Sequence, residues 1–210
     1  MPGTVFFIAD PMCSWCWGFA PALAAVEAEL PAEVPLRYVM GGLAPDSDEP
    51  MAPEVRAYVQ ENWRAVESET GASFNWDFWE RCLPRRSTYP ACRAVLAARQ
   101  QDSGPAMFRA VQRAYYAEAR NPSDLETLTG LAEELGLDAV RFERDIASPE
   151  VEAQLQRDFE TRRRLGVREF PTLLLESPAG SGKKALLARG WASPRAVLAA
   201  LRRALGAAAD

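Results

Sequence analysis

Hydrophobic positions along the chain fall into three successive patterns. Residues 4 to 9 (TVFFIA) form an unbroken apolar, β-prone run that stops at Asp10-Pro11, which predicts a short buried strand. From about Cys13 the spacing changes. Phe19, Leu23, Val26 and Leu30 recur at i, i+4, i+7 and i+11, the single apolar face of one helix, with Glu27 and Glu29 off that face and Pro31 closing the segment. Leu36 to Met40 returns to a strand pattern and ends at Gly41-Gly42, so the opening reads β-α-β.

Between about residues 51 and 165 only helical spacing is found. Val55, Val59 and Val66 mark one helix, Cys92, Val95, Leu96 and Arg99 a second, and Phe108, Val111 and Tyr115 a third. Ser123 with Glu126 reads as a capping box opening a helix through Leu125, Leu128, Leu131 and Leu135, which Gly136 stops. Ser148-Pro149 supplies an N-cap and a first-turn proline for a helix through Val151, Leu155 and Phe159 that ends at Gly166.

After Gly166 the strand pattern resumes. Thr172 to Leu175 is β-prone, Ser177 to Lys184 is a Gly- and Ser-rich turn, Ala185 to Ala188 pairs back as a hairpin, and Ser193-Pro194 caps a last helix through Val197, Leu198, Leu201 and Leu205. Strands at both ends must share a sheet to bury both their faces. The order therefore predicts one α/β domain made of 1–48 and 166–210, interrupted by an all-helical insertion over 49–165.

Composition narrows the function classes. The 24 basic residues are outnumbered by 29 acidic ones, a net charge of -5, which argues against a nucleic-acid binder. The runs Arg85-Arg86 and Arg162-Arg163-Arg164 read as solvated helix ends. No stretch approaches a membrane span, and the residues before Cys13 lack the basic and apolar regions of a signal peptide, so the expected location is cytoplasmic. Histidine is absent, which removes Ser-His-Asp triads, Cys-His dyads and His-ligated zinc.

What remains is Cys13-Ser14-Trp15-Cys16 at the first strand-to-helix junction. Unpaired N–H groups and the positive end of a helix favour a thiolate there, and a cytoplasmic Cys-x-x-Cys is catalytic or metal-binding more often than structural. On this reading Cys13 is the exposed attacking thiol and Cys16, one turn further in, resolves the mixed disulfide. Ser14 and Trp15 influence the stability of the thiolate. The alternatives are inert buried thiols, or half of a zinc site completed by Cys82 and Cys92. The spacing of that second pair is unlike the paired Cys-x-x-Cys of a four-cysteine zinc site, and both read as plain reduced thiols, with a second redox pair as a minor hypothesis.

Glu169-Phe170-Pro171-Thr172 precedes the returning strand. A proline there is either a simple strand start or a tight X-Pro turn whose exposed backbone edge pairs with an extended substrate segment. Phe170, Pro171 and Thr172, with Trp15, are accordingly the candidate substrate contacts. Asp10, three residues before Cys13, is a turn starter before proline or a proton relay for the thiol, and the turn is the simpler reading. Trp15, Trp17, Phe19, Trp63, Phe74, Trp76 and Trp79 read mostly as core, with some free to wall an apolar groove beside the cysteines.

Taken together, DPMCSWCWGF over 10–19, GGL over 41–43, STYPACR over 87–93 and GVREFPT over 166–172 resemble segments of the DsbA-like family of bacterial protein-disulfide isomerases. The resemblance spans nearly the whole chain in order. It implies an α/β, thioredoxin-like fold with a large all-helical insertion, Cys13 as nucleophile, Cys16 as resolver and Pro171 as a cis-proline facing them. Secreted oxidants of the family carry a histidine between the cysteines and a leader, both missing here, and the charged Arg168-Glu169 before Phe-Pro is a further departure. The expected activity is disulfide exchange with thiol- or disulfide-containing protein or peptide substrates. It needs no metal or organic cofactor, with glutathione as a candidate redox partner. The rivals are a kappa-type glutathione-dependent transferase or isomerase acting on small molecules, and a non-catalytic peptide-binding module.

Overall fold

A computed structural model describes residues 3–177 and 183–206 of the chain. The strands are β1 (Thr4–Ala9), β2 (Leu36–Met40), β3 (Thr172–Glu176) and β4 (Lys184–Arg189). They form one mixed sheet in the order β2-β1-β3-β4, with β1 parallel to β2 and antiparallel to β3, and β3 antiparallel to β4. Central β1 alternates its side chains between two apolar layers. Val5, Phe7 and Ala9 enter the main core, whereas Phe6 and Ile8 join Val39, Leu165 and Leu174 on the other face. A strand covered on both faces has no polar positions to place, hence the unbroken apolar run.

The helices are α1 (Ser14–Gly18), α2 (Ala20–Glu29), α3 (Pro53–Thr70), α4 (Phe78–Arg81), α5 (Tyr89–Arg99), α6 (Gly104–Tyr116), α7 (Leu125–Glu134), α8 (Ala139–Ile146), α9 (Pro149–Leu165) and α10 (Pro194–Gly206). Helices α3 to α9 lie between β2 and β3 in the chain, so the expected thioredoxin-like fold with its helical insertion is observed. The main core is continuous from β1 through α2 into α5, α6 and α9. No helix among the described residues is long and apolar enough to cross a membrane.

Three details differ from the sequence expectation. The first helix is two helices, because Pro21 has no N–H to continue the ladder from α1; fully buried Phe19 marks the join and stacks on Phe7 at 6.0 Å between ring centroids. The capping box at Ser123 does not form. Its hydroxyl donates instead to the carbonyl of Ser87 at 2.8 Å, and α7 starts at Leu125 with Asp124 at its N-cap. Helices α4 and α8 were not anticipated; α8 is capped by Asp138, which accepts from the Arg141 N–H at 2.9 Å. The stops at Gly136 and Gly166 hold, both glycines taking the positive φ that ends a helix cheaply. Ser148 caps α9 through the Val151 N–H at 3.2 Å. The central part of the expected hairpin turn, residues 178–182, lies outside the described residues.

Candidate active site

The site is assembled at the end of β1, where the chain must turn at Asp10-Pro11 and start α1 within three residues. Asp10 is fully buried and organises that turn. One carboxylate oxygen accepts from the Met12 N–H at 2.8 Å; the other accepts from the Leu43 N–H at 2.7 Å and from the Thr88 hydroxyl at 2.7 Å, with the Cys92 thiol at 3.6 Å. Burial pushes the Asp10 carboxyl above the ordinary 3.8, against the opposing pull of these hydrogen bonds from Leu43, Thr88, Met12 and Cys92. The residue thereby ties three separate segments together: the motif turn, the loop after β2 and the start of α5.

Cys13 is the N-cap of α1, in extended conformation, and its N–H donates to the Asp10 carbonyl at 3.0 Å. Its thiol faces the carbonyl of Phe170 at 3.7 Å. The expected exposure is not found: Cys13 is 6% exposed, with the Phe170 carbonyl brought to its thiol from the far end of the chain. Cys16 is deeper, at 1%, as the spacing predicted. Burial pushes its thiol well above the ordinary range, and the neighbouring Cys13 adds to this, so Cys16 is held protonated.

Phe170 is held by elements that sequence patterns did not single out. The Phe170–Pro171 bond is cis, as the family resemblance implied. The Phe170 ring lies so close over Gly41 that any Cβ at that position would overlap it. Arg162, at the end of α9, donates to the Gly41 carbonyl at 2.6 Å and spreads its guanidinium over the rings of Phe159 and Phe170, 5.6 and 5.9 Å from their centroids. Arg162 is therefore not a solvated helix end. Neither is Arg85, which binds the Ser123 carbonyl and the Asp124 carboxylate, nor Arg86, which lines the cysteine cavity.

That cavity, about 230 Å³, is walled by Cys13, Trp15, Leu43, Tyr58, Trp63, Arg86, Arg168 and Phe170, among others. Trp15 is placed there by a hydrogen bond from its indole N–H to Asn62 on α3 at 3.4 Å. The structure thus brings Cys13, Trp15 and Phe170 together. It does not bring Thr172 to the cavity: its hydroxyl turns back to the Glu169 carbonyl at 2.8 Å, and the residue lines a different groove with Leu165 and Leu186. Pro171 is buried and its carbonyl accepts from the Gly190 N–H at 2.8 Å. Most aromatics are core, packed around fully buried Trp63, which has Phe74, Trp76, Phe78, Trp79, Tyr115 and Tyr116 within 5.8 Å between centroids.

The other two cysteines have separate neighbours. The Cys82 thiol donates to the Ala119 carbonyl at 3.2 Å, and the Cys92 thiol, pushed well up by burial, faces Asp10. Among the described residues no group of three or more Cys, Asp or Glu side chains is gathered for a metal.

The family model described as Thioredoxin matches residues 6–190. Among solved structures, the chain is similar to a candidate protein disulfide isomerase from Nitrosomonas europaea, with 30% identity, a TM-score of 0.86 and 99% of each chain covered. It is also similar to the cytosolic disulfide reductase DsbM from Pseudomonas aeruginosa, with 30% identity, a TM-score of 0.79 and coverage of 97% and 99%; that protein has been solved with GSH as well. Among curated proteins, it is 26% identical over 175 residues to the ClpXP adapter protein SpxH of Bacillus subtilis (strain 168), covering 82% of this chain. The match spans only 58% of the adapter's length.

Proposed function

Since the chain belongs to the thioredoxin family, on its DsbA-like branch, we propose that it is a cytoplasmic thiol-disulfide oxidoreductase that reduces or rearranges disulfides in protein or peptide substrates. The observation that carries the proposal is the Cys13 thiol at the mouth of a cavity, 3.7 Å from the Phe170 carbonyl, with protonated Cys16 one turn behind it.

The reaction follows from those positions. The Cys13 thiolate attacks one sulfur of the substrate disulfide; that S–S bond breaks, the departing sulfur takes up a proton, and a mixed disulfide to Cys13 forms. Cys16 then gives up its proton and attacks the Cys13 sulfur, which releases the second substrate thiol and leaves a Cys13–Cys16 disulfide. Two electrons have passed from the pair to the substrate. Two glutathione thiols return them, leaving as glutathione disulfide, a role supported by the GSH held by the P. aeruginosa relative. Phe170 presents the backbone along which the substrate lies, and Trp15 forms the cavity wall beside it. Asp10 acts as the tie that holds the motif turn rather than as a proton shuttle, since its oxygens are already engaged by Met12, Leu43, Thr88 and Cys92.

The test is insulin reduction in glutathione buffer. The unmodified protein accelerates it and Cys13→Ser loses the effect; a variant as active as its parent would overturn the assignment. A second reading, a binding module without turnover, is favoured by the similarity to SpxH, and the same variant would then keep its binding.

A further inference from the structure

The last turn of α9 and the loop before β3 concentrate positive charge in a chain that is acidic as a whole. Arg162, Arg163 and Arg168 line one depression of about 390 Å³, with Gly166 and Val167 beside them and no acidic side chain. The acids close by in sequence are engaged elsewhere: Glu169 pairs with Arg189 and Glu176 with Arg164. Among the described residues Arg163 and Arg168, both exposed, make no ion pair or hydrogen bond. Arg162 is fixed by the Gly41 carbonyl and by the rings of Phe159 and Phe170, contacts that leave its charge unneutralised. Complementing the end of the helix does not account for this cluster. A helix ends with roughly half a unit of negative charge, and the carbonyls of Arg162 and Arg163 already accept from the Val167 and Gly166 N–H groups. The guanidinium groups of the depression exceed that demand several-fold, so it keeps a net positive charge.

The depression adjoins the cysteine site. Arg168 lines the Cys13 cavity as well, so the two hollows share a wall. It stands two residues before Phe170, whose carbonyl meets the Cys13 thiol, which puts the Cα atoms of Arg168 and Phe170 at most about 7 Å apart. A polypeptide whose disulfide sulfur is at Cys13 can therefore run over Arg168 and reach Arg162 and Arg163 within a few residues. We infer that the protein prefers polypeptide disulfides carrying acidic side chains about two to five positions from the reacting cysteine, with those carboxylates lying against Arg168, Arg163 and Arg162. The inference rests on the exchange reading above and adds a substrate class to it. A guanidinium offers paired N–H donors that match a carboxylate. Because the cluster is exposed, it acts mainly on the rate of encounter, and salt weakens it. The net charge of -5 favours an acidic polypeptide over a nucleic acid, which would need a wider basic surface.

The experiment is single-turnover oxidation of the reduced protein, without added small thiols, by disulfide-linked dimers of short single-cysteine peptides. The peptides differ only in a run of Glu, Gln or Lys placed about two to four positions after the cysteine, and a second set carries the run before it. Acid quenching and mass spectrometry give the second-order rate constants. In one set or both these fall in the order Glu, Gln, Lys, with about tenfold between Glu and Lys at about 20 mM salt, narrowing to about twofold at about 500 mM. Arg163 lies outside the Cys13 cavity, so it separates the charge effect from the exchange step. Arg163→Glu lowers the Glu-to-Lys ratio about fivefold and Arg163→Lys keeps most of it, whereas Arg203→Glu, the same charge change on α10, leaves it in place. A ratio near one in both sets, a ratio insensitive to salt, or one that Arg163→Glu leaves unchanged overturns the inference while exchange stands. A short single-stranded RNA that suppresses the Glu advantage more strongly than polyglutamate of equal charge assigns the depression to nucleic acid and also overturns it. If no peptide disulfide oxidises the unmutated protein, it is the exchange reading that fails.

Discussion

The motif thiols Cys13 and Cys16 and the second pair, Cys82 and Cys92, occupy contrasting surroundings, yet burial does not separate them. Cys92 is as enclosed as Cys16, and Cys82 is more open than Cys13. The difference lies in what each sulfur faces. Cys13 meets a backbone carbonyl at the edge of a cavity and has a second thiol one helical turn away. Cys92 meets a carboxylate in a closed core, where an ionised sulfur would add a second negative charge, and Cys82 meets the Ala119 carbonyl. A thiol becomes a candidate for exchange through its access and its partner, not through its depth.

This contrast can be broken most directly at the resolving position. Cys16→Ser is expected to lower multiple-turnover insulin reduction by on the order of 10³-fold and to accumulate a mixed disulfide visible by mass spectrometry, whereas Cys92→Ala keeps turnover within about twofold. Equal losses would erase the distinction between the pairs. Gly41→Ala sharpens it with a smaller effect. The new methyl overlaps the Phe170 ring, so the carbonyl over Cys13 must move, at a stability cost of about 1–3 kcal/mol by urea unfolding. Alkylation of Cys13 should change rate in that variant while that of Cys82 does not; parallel changes would mean a general loosening.

The smallest effect concerns pH. Burial raises the Asp10 carboxyl above 3.8 in the folded state, so its contribution to stability is fully present below that value and is lost as pH rises through the folded value. Relative to Asp10→Asn, the parent protein is therefore expected to lose stability over the window that opens at 3.8 and extends upward, as read in urea titrations. A constant difference across that window would show that Asp10 is not the buried carboxylate that Cys92 faces.

Much of this was written in local sequence. The β1 run, the cysteine motif at its end, the Ser148 cap and the strand after Gly166 depend on residues adjacent in the chain, and all four were legible. What escaped depends on partners that meet only in the fold. Ser123 had the right neighbours for a capping box and was taken instead by Ser87. Arg86 and Arg162 looked like surface charge until the loop after β2 and the segment before β3 came together around Cys13. Gly41 follows β2 like any turn glycine, and only the ring of Phe170 explains why no side chain fits there. One missed signal was local: Pro21 forbids a continuous first helix.

The carbonyl that covers Cys13 is supplied by a residue 157 positions later in the chain. At translation rates of about 5–20 residues per second, the reactive sulfur leaves the ribosome roughly 8 to 30 s before the Phe170 carbonyl exists. Throughout that interval the thiol lacks the carbonyl that faces it in the finished fold. The reducing power of the place of synthesis, rather than the finished fold, must carry the nascent cysteines unmodified to the moment when Phe170 arrives.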